Sequence, residues 1–123
     1  DKLSEGKELT LPLLDYINVH KTGKLIMVSC LVGALAARAS KKHERAIVKY
    51  GEHLGVAFQV VDDILDGDGY LRFMSKHKAF KRAQELIMKA QTALKPFGKR
   101  AHFLCELAEY VLERGKTSDD AKR

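Results

Sequence analysis

The sequence predicts an all-α protein, with helices packed around shared cores. Three observations carry this. Strand-like alternation is nearly absent from the 123 residues. Apolar residues recur every three or four positions along most of the length, the period of a helix with one buried face. The strongest glycine and proline clusters fall where those stripes stop.

Taken in order, residues 1–9 are polar and carry no helical stripe. Thr10 suits an N-cap with Pro12 in the first turn, opening a helix through Leu14 and Ile17 toward His20 and beyond. Leu25, Val28, Leu31, Val32 and Leu35 mark a second helix, or a continuation past Gly23, and Ala34, Ala36 and Ala37 allow close helix approach. Ser40 is a candidate cap for the next helix, with Glu44 close to capping-box distance. Ala46, Ile47, Tyr50, Leu54 and Ala57 supply its apolar stripe. Gly67-Asp68-Gly69 breaks it. Phe73, Ala79, Ala83, Leu86, Ile87, Ala90 and Leu94 then place a helix over 72–94, which Pro96-Phe97-Gly98 ends. Ala101, Leu104, Cys105, Leu107, Ala108, Val111 and Leu112 form a last helix that stops at Gly115, before a polar tail from Thr117 to Arg123.

A length of 123 residues suits one globular domain or a piece of one. The net charge of +6 is compatible with an anionic partner. Lys and Arg are spread over most of the chain, however, with no basic aromatic cluster and no zinc-finger spacing, so nucleic acid is not an expected partner. The longest apolar run, Leu25 to Ala37, contains Ser29 and Cys30 and is too short to span a membrane. Cys30 and Cys105 sit singly in helical patterns and make no disulfide framework, which points to a reducing, cytoplasmic setting.

The richest chemistry lies in Phe58-Gln59-Val60-Val61-Asp62-Asp63-Ile64-Leu65-Asp66. Asp62 and Asp66 share a helix face, and Gln59 lies a turn earlier. The stretch contains no basic residue. Clustered acids near a helix C-terminus meet both one another and the negative end of the macrodipole. An external cation relieves this. Oxygen donors select a hard ion, and Mg²⁺ typically binds through one or two carboxylates plus substrate phosphates. An acidic helix end in open water is the plain alternative. Apolar residues around the whole circumference argue for burial instead, with the acids at an internal cavity. Upstream, Lys21-Thr22-Gly23 interrupts an apolar helical region. Lys21 either snorkels to the surface or serves, with the Thr22 hydroxyl, as a phosphate ligand.

These motifs, in this order, resemble the trans-prenyltransferases, the farnesyl and geranylgeranyl diphosphate synthases. Tyr16 to Gly23 resembles the segment leading into the family's KTG motif, and Gly33-Ala34-Leu35 the small-residue stretch after it. Gly55 to Gln59 with Asp62-Asp63-Ile64-Leu65-Asp66 resembles its second aspartate-rich motif. Leu107-Ala108-Glu109-Tyr110 and Arg114 resemble its closing helix. The resemblance implies an antiparallel helical bundle of the isoprenoid synthase type around a deep cavity, usually a cytoplasmic homodimer. It implies Mg²⁺-dependent condensation of isopentenyl diphosphate with an allylic diphosphate. Carried over by position, Asp62 is a direct Mg²⁺ ligand, and Asp63 and Asp66 are supporting acids acting partly through water. Lys21 and Thr22 contact the allylic diphosphate, and Phe58 and Gln59 line the site.

The family's first aspartate-rich motif and its Gly-Lys-Arg segment have no counterpart here. The chain is therefore expected to be the C-terminal part, residues 1–123, of a single synthase domain, incomplete and inert alone. A non-catalytic helical partner subunit retaining half of a site is the competing reading. The family's lysine-bearing loop after the second motif is also missing, and Lys76 and Lys78 are candidates to replace its cation, with solvated helix charges as the plainer reading. His20, His43, His53, His77 and His102 show no shared zinc spacing. Lys41, Lys42, Arg45 and Lys49 read as a solvated basic face.

Overall fold

The computed structural model describes residues 8–18, 26, 30, 33–35 and 37–116. Every regular element among them is helical, as the apolar periodicity predicts. Helix α1 spans Leu11–Asn18, α2 spans Lys41–Asp66, α3 spans Lys76–Ala93 and α4 spans His102–Glu113. Short 3₁₀ turns occupy Gly69–Arg72 and Lys95–Ala101. Residues 26, 30 and 33–35 are also helical, and most of the stretch from 19 to 32 lies outside the described residues.

The predicted caps at Thr10 and Ser40 form. Thr10 Oγ1 accepts from the Leu13 N–H at 3.2 Å, and Ser40 Oγ accepts from the His43 N–H at 3.2 Å. The anticipated capping box does not close. Glu44 stands one residue late and its carboxylate lies 3.6 Å from Lys41, while the box position belongs to His43. His43 works as a strut: its Nδ1 bonds Ser40 Oγ at 3.0 Å, its Nε2 lies 3.3 Å from the Pro96 carbonyl, and its ring packs on Phe97.

Helix α2 is the spine of the fold. It buries Tyr50, Leu54, Val56, Ala57, Val60, Val61 and Ile64. Two glycines inside it, Gly51 and Gly55, each cost about 1 kcal/mol of helix propensity. Burial of one large apolar side chain is worth roughly 1.5–3 kcal/mol, so tertiary packing rather than propensity holds this helix. It ends as Gly67 enters the left-handed region at φ 71°, a conformation glycine takes without steric penalty.

The chain then reverses. Helix α3 returns along α2, so that Lys49 and His53 near the middle of α2 face Met88, Lys89 and Ala93 near the end of α3. Ala79, Ala83, Ile87 and Ala90 form its buried stripe. The sequence places the start of this helix at residue 72. It begins instead at Lys76, because Ser75 caps it through the Lys78 N–H and Gly69–Arg72 closes into a 3₁₀ turn first. A kink at Gly98 (φ 59°, ψ −137°) turns the chain again. Helix α4 therefore runs the same way as α2. Tyr50 Oη donates to the Leu104 carbonyl at 2.8 Å near one end, and Asp62 meets Arg114 near the other.

Tyr50 is 2% exposed, and burial pushes its phenol up to about 12, with Cys30 and Cys105 adding to the rise. It acts as a neutral donor that ties α2 to α4. Tyr50→Phe removes that bond, while the Leu104 carbonyl keeps its place in the α4 helix. The substitution is expected to cost about 1 kcal/mol in chemical denaturation without changing helix content by circular dichroism.

Candidate functional site

The last two turns of α2 bring five of the predicted residues together, and they take different positions. Phe58, Gln59 and Asp62 are half-buried, Asp63 is buried, and Asp66 is exposed beside Leu65, itself 48% exposed. Asp62 and Asp66 lie one turn apart on the same face. Asp63 turns inward. Its Oδ1 accepts from Gln59 Nε2 and its Oδ2 from the Tyr70 N–H, both at 3.0 Å. Tyr70 is fully buried. Asp63 thus pins the 3₁₀ turn to the end of α2.

That contact sets the shape of the return. Gly69 has φ 59°, and a Cβ there would run into the Asp63 carboxylate. The turn needs glycine for both its backbone and its space. Burial pushes the Asp63 carboxyl above the ordinary carboxylate range. The Tyr70 and Gln59 hydrogen bonds pull it back down, and the negative charges of Asp68 and Asp62 add to the rise.

Asp62 finds a partner that the sequence does not advertise. Arg114, just past α4, donates from Nη2 to Asp62 Oδ1 at 3.2 Å. Its guanidinium carbon lies 5.1 Å from the centre of the Phe58 ring, within cation–π range. The cation missing from the motif itself comes from a helix some fifty residues later. Its sequence signal is faint: a basic residue at the end of a helix is commonplace, and only the parallel run of α2 and α4 gives it a destination.

Lys21 and Thr22 lie outside the described residues, as does His20. Lys76 and Lys78 are exposed in the first turn of α3. His102 pairs with Glu106 at 3.0 Å. His53 lies in a groove with Lys49, Glu85 and Lys89, where burial lowers its pKa, Glu52 opposes the shift, and Lys89 and Lys49 add to it. Among the described residues no three His, Cys, Asp or Glu side chains converge on a metal position. The donors that do align, Asp62 and Asp66, are two carboxylates without sulfur or imidazole. That set fits Mg²⁺ held jointly with phosphate and water oxygens, and does not fit a self-sufficient protein cage.

The fold is all-α, of the isoprenoid synthase type. Residues 3–81 match the family described as Polyprenyl synthetase, and the chain belongs to that family. It is 31% identical to a geranylgeranyl diphosphate synthase of Cyanophora paradoxa over 134 residues, 93% of this chain and 45% of that protein. A farnesyl diphosphate synthase of Escherichia coli (strain K12) is 33% identical over 136 residues, 92% of this chain and 46% of that protein. A farnesyl diphosphate synthase of Geobacillus stearothermophilus reaches 48% over 69 residues, 56% of this chain and 23% of that protein. The chain spans about half the length, or less, of these curated relatives. The two long matches cover more positions than the 123 residues present here, so each relative carries residues without a counterpart in this chain.

The Asp63 contacts predict a pH-dependent outcome. A carboxyl raised in the folded state loses its proton first in the unfolded chain, so ionisation erodes stability as pH climbs from the ordinary carboxylate range through the raised value. Asp63→Asn keeps an acceptor for the Tyr70 N–H, and Gln59 can turn its amide to match. Its melting temperature should gain on the wild type as pH rises from acid to neutral. Asp63→Ala strands the Tyr70 N–H and should lose about 1–3 kcal/mol. Thermal melts across that pH range check both.

Proposed function

We propose that this chain is the C-terminal part of a Mg²⁺-dependent, chain-elongating prenyltransferase that condenses isopentenyl diphosphate with an allylic diphosphate. The observation that carries the reading is the pair Asp62 and Asp66 on one face of a long, largely buried helix, in a member of the polyprenyl synthetase family. The relatives named as farnesyl and geranylgeranyl diphosphate synthases point to the same reaction class.

In this reading Asp62 and Asp66 hold Mg²⁺ against the diphosphate. The bound ion supplies positive charge where the departing diphosphate gains negative charge. Asp63 keeps the helix end and its turn in shape, while Phe58 and Gln59 line the approach. Lys21 and Thr22 contribute a cation and a hydroxyl to the allylic diphosphate. The remaining acids and cations of the site come from the N-terminal part of the same domain.

Helix α4 supports the idea of a larger domain. Phe103, Leu107 and Tyr110 recur at helical spacing and are 71%, 37% and 64% exposed. Such a stripe suits burial under further helices or a second copy in a homodimer. Among the described residues no helix is long and apolar enough to cross a membrane. The cytoplasm is proposed as the protein's compartment on separate grounds, the two single cysteines without a disulfide framework.

In the full-length protein Asp62→Ala should reduce the steady-state rate at excess Mg²⁺ by on the order of 10²–10³, the usual cost of one dedicated electrostatic stabiliser. Asp66→Ala should cost clearly less, because an exposed site at the helix end admits water in its place. Equal and small losses would assign the acids to a solvated helix end. A folded full-length protein without prenyl transfer would instead assign it the role of a non-catalytic helical partner.

A further inference from the structure

The three carboxylates at the end of α2 are not equivalent before any ligand arrives. Asp63 is closed off by Gln59 and the Tyr70 N–H. Asp66 is exposed, with no ion pair among the described residues. Asp62 alone carries a cation, the Arg114 guanidinium, at 3.2 Å. The contact is only partly shielded, the two side chains being 33% and 31% exposed. The guanidinium also lies over the Phe58 ring.

A guanidinium does not lose its proton, so Asp62 is freed by the side chain moving away and not by titration of its partner. We infer that Arg114 is the resident counter-cation of Asp62 in the metal-free protein, and that it yields this carboxylate to a divalent ion on loading and so sets how tightly the acidic face takes metal. The inference rests on the Mg²⁺ reading of Asp62 and Asp66 given above.

The geometry explains both halves of this role. Without a cation, Asp62 would face the like charges of Asp63, Asp66 and Asp68 at the negative end of α2. Arg114 relieves that repulsion from a different helix. A pair this exposed is worth little, so a divalent ion can displace it at small cost. A deeply buried pair would instead lock the site. Because Phe58 cradles the guanidinium through cation–π contact, the displaced side chain stays at the mouth of the site. Arg114 is thus a positioning residue that acts on metal through Asp62.

The test uses Mn²⁺ alone, titrated into the full chain and followed by electron paramagnetic resonance of the free ion. Circular dichroism confirms the fold of each variant. Arg114→Gln should bind Mn²⁺ up to about fivefold more tightly than the wild type, the range for an exposed ion pair. Arg114→Met, which keeps an apolar stem over Phe58, should do the same. Arg114→Lys keeps the charge but not the planar fork stacked on Phe58, and should fall between the wild type and Arg114→Gln. The difference between the wild type and Arg114→Gln should shrink as salt is raised. Unchanged or weaker binding in folded Arg114→Gln and Arg114→Met, with Asp62→Asn still abolishing it, would overturn the inference and leave the metal reading standing. Mn²⁺ binding that ignores Asp62→Asn would overturn both.

Discussion

The structure turns on a crowding problem. Asp62, Asp63, Asp66 and Asp68 meet at the C-terminal end of a helix whose own dipole is negative there. Each of the motif's three acids is accommodated differently. Asp63 is turned inward and satisfied by a backbone N–H and an amide. Asp62 is matched by a guanidinium from α4. Asp66 is left to solvent. The three solutions sort the acids into one that builds, one that is held in reserve and one that is open. A motif that reads as three similar carboxylates in sequence becomes three different chemical groups in space.

The rest of the fold serves that arrangement. Asp63 can reach the Tyr70 N–H only because Gly67 and Gly69 take positive φ and the chain doubles back at once. The doubling sets α3 antiparallel to α2, and the Gly98 kink sets α4 parallel to it. Two cross-links keep α4 in register with α2: Tyr50 to the Leu104 carbonyl, and Asp62 to Arg114. They stand twelve residues apart on α2 and ten apart on α4, close to the spacing expected for helices side by side with equal rise. The apolar core between them, Val60, Val61, Ala83, Ile87, Ala108 and Val111, is buried, so the acidic end sits on a packed base rather than on a fraying helix.

Much of this was legible in the sequence. The helical period, the caps at Thr10 and Ser40, the Gly67 stop and the inward stripe of α3 all follow from local rules that the structure obeys. The family followed from the order of two short motifs. Illegible was whatever depends on one helix finding another. Asp63 and Asp62 are adjacent in sequence, and only the path of the chain after Gly67 decides which one is buried. Arg114 resembled part of a closing helix, and its partner fifty-two residues away could not be read from α4 alone. Ser75 is a good cap by type, but Phe73 belongs to the same apolar pattern as Ala79 and Ala83 and drew the expected start of α3 upstream. The KTG segment lies outside the described residues.

The short return has an electrostatic consequence. Residues 67–75 contain one basic side chain, Arg72, and it is exposed. The link is also fastened at Asp63 and Tyr70, which restricts how far it can swing over the acids. The positive charge that Asp62 meets therefore comes from outside the return, from Arg114 at the end of α4. Arg114 is already within hydrogen-bond distance of the acid in question. In this chain the cation next to Asp62 comes from the end of its last helix and lies against the Phe58 ring, so the position of α4 decides what Asp62 meets at the end of α2.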